Sequence, residues 1–155
     1  MSGQPYVAVI GPSEAATDEA GRAEVVGRLL AERGAVVVCG GLGGVMEAVS
    51  RGAAGAGGTV VGILPGTERA DANEHVTVAL TTGMGEMRNA LVVRAADAVI
   101  AVGGAYGTLS EISLALRTGV PVVGIGTWDL DDVIDAPDAE AAVELALALA
   151  HEVRS

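Results

Sequence analysis

The stretch that decides the fold is GMGEMRNALVVRAADAVIAVGGAYGTLSEISLAL, residues 83–116. Met87, Leu91 and Val92 recur at helical spacing and lead into the short apolar run 98–102, which predicts a buried strand. A glycine-rich turn follows this run, and a second helical pattern begins after the turn. The order helix, strand, glycine turn and helix is typical of a sheet whose strands run parallel.

The glycine turn is suited to binding an anion. Backbone without Cβ atoms can approach a ligand closely, and the first N–H groups of the following helix have no partners within that helix. Phosphate is the usual occupant of such a place. We expect it at the N–H groups of Tyr106, Gly107 and Thr108, with the Thr108 hydroxyl as a further donor. Glu111 lies one helical turn further on, and Arg88 on the preceding helix is expected to reach the same crevice.

An earlier glycine turn resembles this one. Three pairs of positions coincide at one constant interval: Gly40 with Gly104, Gly43 with Gly107, and Glu47 with Glu111. Because turns after parallel strands can line one crevice, both are candidate ligand contacts. The alternative is that the glycines serve only tight turning and close helix packing. With the turn after the first strand included, the predicted ligand-binding residues are Gly11, Ser13, Gly40, Gly41, Gly43, Gly44, Glu47, Arg88, Asn89, Gly103, Gly104, Ala105, Tyr106, Gly107, Thr108 and Glu111.

The alternation of strand and helix patterns predicts an α/β fold with a doubly wound, Rossmann-like parallel sheet. The 155 residues fit a single domain over 1–155. We expect strands at 6–10, 36–39, 59–64, 75–80, 98–102 and 121–125. The acidic stretch 129–135 is expected to be a loop, and residues 136–153 a closing helix.

The composition argues against several classes of function. A net charge of −11 disfavours a general nucleic-acid surface. The chain contains no lysine, so it cannot hold pyridoxal phosphate as a Schiff base. The lone Cys39, in an apolar run, predicts a buried structural thiol and no internal disulfide. No membrane span or signal peptide is indicated, so we expect a cytoplasmic protein with no membrane partner.

Motifs for other kinds of site are missing from the sequence. The turn at Gly11 lacks the G-x-G-x-x-G spacing of dinucleotide sites, and a P-loop would need a lysine. His75 and His151 are isolated, which argues against a His-based metal site. No Ser–His–Asp order with a nucleophile elbow is present.

Over most of its length the chain resembles the Lonely Guy (LOG) proteins, once labelled lysine decarboxylases, and the motifs that carry the resemblance lie in the central segment. LOG proteins carry an Arg-Lys pair on one helix and, further on, the pattern Pro-Gly-Gly-x-Gly-Thr-x-x-Glu. Arg88 and Glu111 match this pattern, whereas Asn89, Gly103 and Ala105 replace the Lys, the Pro and the second Gly. These departures are similar to the sister branch that includes molybdenum-cofactor carrier proteins, which have Arg-Asn and a Gly-Gly turn.

The resemblance implies two alternative functions. A carrier would bind a phosphate-bearing pterin such as the molybdenum cofactor and would require no cofactor of its own. A LOG-type phosphoribohydrolase would use Arg88 to anchor a nucleoside 5′-monophosphate, and Glu111 as the catalytic carboxylate that stabilises positive charge on the ribose.

A third interpretation is a sensing or structural protein without catalysis, and Arg88 and Glu111 could also simply form an ion pair. The resemblance further implies a homodimer or higher homo-oligomer. The helices around Leu91 and Leu114 are expected to form its interface.

Overall fold

The computed structural model describes residues 3–154 as strands and helices that alternate along the chain. In chain order these are β1 (Tyr6–Ile10), α1 (Thr17–Glu32), β2 (Val36–Cys39), α2 (Val45–Gly55), β3 (Val60–Leu64), β4 (Val78–Thr81), α3 (Arg88–Arg94), β5 (Ala98–Val102), α4 (Tyr106–Arg117), β6 (Val122–Ile125), β7 (Val133–Asp135) and α5 (Ala139–Arg154). Short 3-10 helices lie at Arg69–Asp71 and Gly85–Met87.

The strands form one seven-stranded sheet in the order β4-β3-β2-β1-β5-β6-β7. All pairs are parallel; on β1, for example, Tyr6 pairs with Val36 of β2 and Val7 pairs with Ala98 of β5. The direction of winding reverses between β1 and β5, and open α/β sheets bind ligands outside the carboxyl ends of strands at such a point. The predicted doubly wound parallel sheet is confirmed.

Helices cover both faces of this sheet. One core joins α1, α2 and α5 to strand residues such as Val9 and Val37. The other core joins α3 and α4 to the alternate residues, such as Ala8 and Val38. Because both faces are buried, the inner strands are continuous apolar runs rather than alternating ones. No helix within residues 3–154 is both long and apolar enough to cross a membrane.

The expectation of a loop over 129–135 is wrong at its end, because Val133–Asp135 forms β7. This edge strand pairs with β6 through Val122 and Val133. It has three residues and a single neighbouring strand, and two of its residues are exposed. It therefore lacks the apolar run that marks the inner strands.

The starts of two elements differ from the expectation by more than one residue. The closing helix begins at Ala139 rather than at 136, because the Asp138 carboxylate accepts a hydrogen bond from the Ala141 N–H at 2.8 Å and caps the helix. The fourth strand is Val78–Thr81 rather than 75–80. The residues before it form a turn, in which the Asn73 side chain accepts a hydrogen bond from the His75 N–H.

Candidate functional site

A cleft of about 420 Å³ lies at the carboxyl edge of the sheet, which is a size typical of small-molecule sites. Strand-to-helix turns and the first turns of α3 and α4 form its walls. The sequence-predicted residues that line it are Gly11, Ser13, Gly40, Arg88, Asn89, Ala105, Gly107, Thr108 and Glu111. The order of the strands thus brings together residues that are far apart in the chain.

Arg88, the first residue of α3, places a buried guanidinium at this cleft. Its Nε donates to the Ile63 carbonyl at 2.9 Å, Nη2 donates to the Gly40 carbonyl at 3.4 Å, and Nη1 donates to Oδ1 of Asn89. Three of the five N–H donors of the guanidinium are used in this way, and all three acceptors are uncharged. Burial lowers the pKa of Arg88, an effect that attraction to Glu111 opposes.

Glu111, in the second turn of α4, is the carboxyl that shares the cleft wall with Arg88. Burial raises the pKa of Glu111 to about 7, and the nearby Arg88 charge offsets this only in part. Among residues 3–154, Arg88 forms no ion pair with Glu111 or with any other carboxylate. The hypothesis of an Arg88–Glu111 ion pair therefore does not describe this structure.

The N-terminus of α4 presents hydrogen-bond donors to the same cleft. Its first internal bond runs from the Leu109 N–H to the Ala105 carbonyl, so the N–H groups of Tyr106, Gly107 and Thr108 have no partner within the helix. Thr108 Oγ1 is buried and has no hydrogen-bond partner. A Cβ added at Gly107 would meet nothing within 4 Å, which shows that this residue borders open space.

In the earlier glycine turn, residues 40–47, the groups that could contact a ligand mostly contact other parts of the protein instead. Gly40 lines the cleft, and a Cβ there would lie 2.7 Å from Nη2 of Arg88. At the start of α2 the Val45 N–H donates to the Pro12 carbonyl at 3.0 Å, so this donor is already used. The predicted residues of this turn that lie outside the cleft lining are Gly41, Gly43, Gly44 and Glu47.

Gly103 and its neighbours explain why the LOG proline is absent here. Gly103 has a φ of +71°, a value that the ring of proline cannot adopt. A side chain at this position would also collide with the Glu19 carboxylate. The replacement of the LOG proline by Gly103 is therefore a requirement of the local backbone.

Trp128 is a residue beside the site that sequence reasoning missed. Its indole N–H donates to the Ala105 carbonyl at 3.1 Å, and its ring lies above Gly104. It also stacks with Tyr106, with ring centroids 6.1 Å apart and planes at 29°. The only sequence signal for Trp128 was that the chain's single tryptophan follows the strand β6.

Three predicted residues of the second glycine turn, Gly103, Gly104 and Tyr106, lie outside the lining of the 420 Å³ cleft.

Neither a metal centre nor a reactive thiol is indicated by the geometry. Within residues 3–154, no group of three or more His, Cys, Asp or Glu side chains is placed to hold a metal ion. Cys39 is buried with its Sγ 3.5 Å from the Ser50 hydroxyl, and burial raises the pKa of the thiol. This is the environment of a structural cysteine.

Comparison with known proteins identifies a family and solved structures of the same fold. A family model described as the SLOG cluster4 family matches residues 4–153. The molybdenum cofactor binding protein of Rippkaea orientalis is 35% identical, with a TM-score of 0.91 over 96% of this chain and 99% of that chain. The Moco carrier protein of Chlamydomonas reinhardtii is 30% identical, with a TM-score of 0.88 over 96% and 99% of the two chains.

A relative named as an enzyme matches a smaller part of the chain. It is a probable cytokinin riboside 5′-monophosphate phosphoribohydrolase of Oryza sativa subsp. japonica, 40% identical over 90 residues. The match covers 56% of this chain and 37% of that protein. Together the matches confirm the resemblance to LOG proteins, with carrier proteins among the structural neighbours.

Proposed function

This chain belongs to the SLOG cluster4 family, and we propose that it is a carrier protein that binds a phosphate-bearing pterin, in the manner of a molybdenum-cofactor carrier. The similarity to two carrier or cofactor-binding proteins over nearly the whole chain supports this proposal. The fold alone does not identify the ligand, so the proposal depends on what the cleft can bind.

The observation that carries the proposal is a buried guanidinium that has no salt bridge within residues 3–154 and shares its cleft with the N-terminus of α4. Burying the Arg88 charge without a carboxylate partner is unfavourable, and a bound anion would remove that cost. Gly107 and Thr108 at the start of α4 line the same cleft, and the Thr108 hydroxyl is buried there without a hydrogen-bond partner. A phosphate oxygen is the acceptor that all these donors fit.

The residues of the cleft have different roles in binding such a ligand. Arg88 supplies charge, and its remaining N–H groups supply bonds to the phosphate. The N–H groups of Gly107 and Thr108, which line the cleft, orient the phosphate oxygens. The bound pterin, as cargo, would supply the metal chemistry to a receiving enzyme, and none of the residues named here needs to react.

The alternative function is hydrolysis of a nucleoside 5′-monophosphate, and one observation favours it. A carboxyl whose pKa is about 7, buried beside an arginine in a cleft, has the properties of a catalytic acid or base. In that case Glu111 would stabilise positive charge on the ribose and orient water. Incubation with AMP would then release adenine, and Glu111→Gln would bind AMP but lose turnover by orders of magnitude.

Mass spectrometry of the small molecules that co-purify with the protein tests the carrier proposal. The protein is purified under mild conditions, denatured, and the released molecules are identified. We expect a phosphate-bearing pterin from the wild type and none from Gly107→Val, whose side chain fills the phosphate position. Recovery of a nucleotide instead, or base release from AMP, would replace the carrier with the hydrolase.

A further inference from the structure

A second cavity, of about 500 Å³, continues from the cleft along the surface between α3 and α4. Glu86, Asn89 and Gly107 line both cavities, so the two spaces meet beside the proposed phosphate position. We call the second cavity the α3–α4 groove; its other walls are Met87, Ala90, Tyr106, Ser110 and Leu114. A ligand whose phosphate lies at Gly107 can therefore extend its other end into this groove.

The groove walls suit a flat ring rather than an extended charged group. Met87, Ala90 and Leu114 provide apolar contact, while Ser110 and Asn89 provide hydrogen-bonding groups at the edge. Oδ1 of Asn89 is used by Arg88, which leaves the Asn89 amide N–H groups free to donate to a ring carbonyl. Small-molecule sites combine apolar walls with a few such polar groups.

Tyr106 gives the groove an aromatic surface that is held in place. The Tyr106 side chain is 84% exposed, although it is large and partly apolar. Trp128 stacks against it, and the bond from Trp128 to the Ala105 carbonyl fixes the pair to the glycine turn. Aromatic side chains presented in this way are typical platforms for stacking a heterocycle.

We propose that the α3–α4 groove binds the bicyclic ring of the ligand, a pterin or purine, and that Tyr106 stacks on that ring. This inference rests on the proposed function for its phosphate anchor, and it assigns ring selectivity to the side chain of Tyr106 and the other walls of the groove. Tyr106 is then a specificity-determining residue, whereas Arg88 and the start of α4 bind any phosphate ester.

Three probes separate the ring from the phosphate: GMP, ribose 5-phosphate and inorganic phosphate. The guanine of GMP contains the same amino-oxo-pyrimidine ring as a pterin, and ribose 5-phosphate lacks any base. Their dissociation constants are measured by calorimetry for wild type, Tyr106→Ala and Tyr106→Phe. Tyr6→Ala is the matched control, because Tyr6 is the chain's other tyrosine and lies at the start of β1, outside both cavities.

We expect GMP to bind the wild type at least tenfold more tightly than ribose 5-phosphate. Tyr106→Ala should remove about tenfold of GMP affinity, the loss expected for one base–aromatic stack, and should leave ribose 5-phosphate unchanged. Tyr106→Phe and Tyr6→Ala should bind GMP like the wild type. Binding of GMP should also change the fluorescence of Trp128, the single tryptophan, whereas ribose 5-phosphate should not.

Equal affinity of the wild type for GMP and ribose 5-phosphate would overturn the ring site while leaving the phosphate site intact. Equal losses of affinity for GMP and for ribose 5-phosphate in Tyr106→Ala would also overturn the ring site, because they would show that the substitution disturbs the glycine turn before α4. If Tyr106→Ala lowers the mass of the assembly in light scattering without changing the ratio of the two affinities, a second copy occupies the groove and the proposal fails. Failure of all three probes to bind would instead refute the phosphate site and the proposed function.

Discussion

We expect anion binding in this acidic protein to depend on the charge of Arg88. Its neutralisation in Arg88→Ala should weaken binding of inorganic phosphate by at least tenfold, because a charge-assisted hydrogen bond is worth about 1.5–3 kcal/mol. Calorimetry gives the affinities directly. Arg94→Ala is the matched control, since Arg94 is on the same helix and is exposed. Equal effects of the two substitutions would mean that only net charge matters and that Arg88 does not contact the ligand.

Glu111 makes the stability of the protein depend on pH in a defined direction. Between its ordinary value of 4.5 and its folded-state pKa of about 7, the folded protein keeps a proton that the unfolded chain has released. The free energy of unfolding should therefore fall as the pH rises through this window and level off above it. The expected loss is on the order of 3 kcal/mol, at about 1.4 kcal/mol for each pH unit of the shift.

Urea unfolding of wild type and Glu111→Gln at pH 5 and pH 8 measures this contribution. Glutamine cannot ionise, so Glu111→Gln should gain stability relative to the wild type as the pH rises. Glu47→Gln removes a carboxylate from the equivalent position of the earlier glycine turn and controls for the change in net charge. Parallel pH dependence in the wild type and in Glu111→Gln would show that Glu111 is not the responsible group.

At the scale of elements, the start of α4 holds an unsatisfied group that a ligand would satisfy. Thr108 Oγ1 and Thr127 Oγ1 are the two buried side-chain oxygens without a partner in the part of the chain that the structure describes. Thr108→Val should stabilise the ligand-free protein by about 1–2 kcal/mol, because it removes a buried unpaired hydroxyl. The same substitution should weaken phosphate binding about tenfold.

Thr127→Val is the control that separates the effect of Thr108→Val on stability from its effect on phosphate binding. Thr127 does not line the cleft, so its replacement should raise the free energy of unfolding without changing phosphate affinity. Unfolding curves and calorimetry on both variants provide the comparison. Wild-type phosphate affinity in Thr108→Val would show that the hydroxyl does not face the ligand.

The sequence suffices to predict some elements, because their conformation depends on residues that are close together in the chain. These elements are the apolar strands β1, β2, β5 and β6 and the glycine turn before α4. Arg88, Gly107, Thr108 and Glu111 line one cleft because a parallel sheet places successive turns at one edge, a rule that applies before the structure is known. Trp128 and β7 were missed because their positions depend on the order of the strands. The different surroundings of the two glycine turns could not be predicted either, because the earlier turn contacts residues far away in the chain, such as Pro12 and Arg88.

At the scale of the whole molecule, we expect at least a homodimer formed by α3 and α4. Leu91 on α3 is 39% exposed, and a second copy packed against it would bury this apolar side chain. Contact around Leu91 and Leu114 would bury this face and border the α3–α4 groove. Light scattering should give at least twice the chain mass of 15.3 kDa, and Leu91→Arg should reduce it.

Leu130→Arg is the control for the Leu91 substitution, because Leu130 is similarly exposed but lies in the loop before β7. It should leave the mass unchanged. A wild-type mass of 15.3 kDa at micromolar concentration would contradict the predicted dimer.

Calorimetric titration of inorganic phosphate into the wild type, Gly107→Val and Gly21→Val tests whether the start of α4 binds the anion. A Cβ at either glycine would meet no atom within 4 Å, so both variants should fold, but only the side chain at Gly107 borders the cleft. We expect the wild type and Gly21→Val to bind phosphate equally, and we expect Gly107→Val, with an unchanged urea midpoint, not to bind it. Phosphate binding by Gly107→Val with wild-type affinity would place the anion away from the start of α4 and refute the proposed phosphate site.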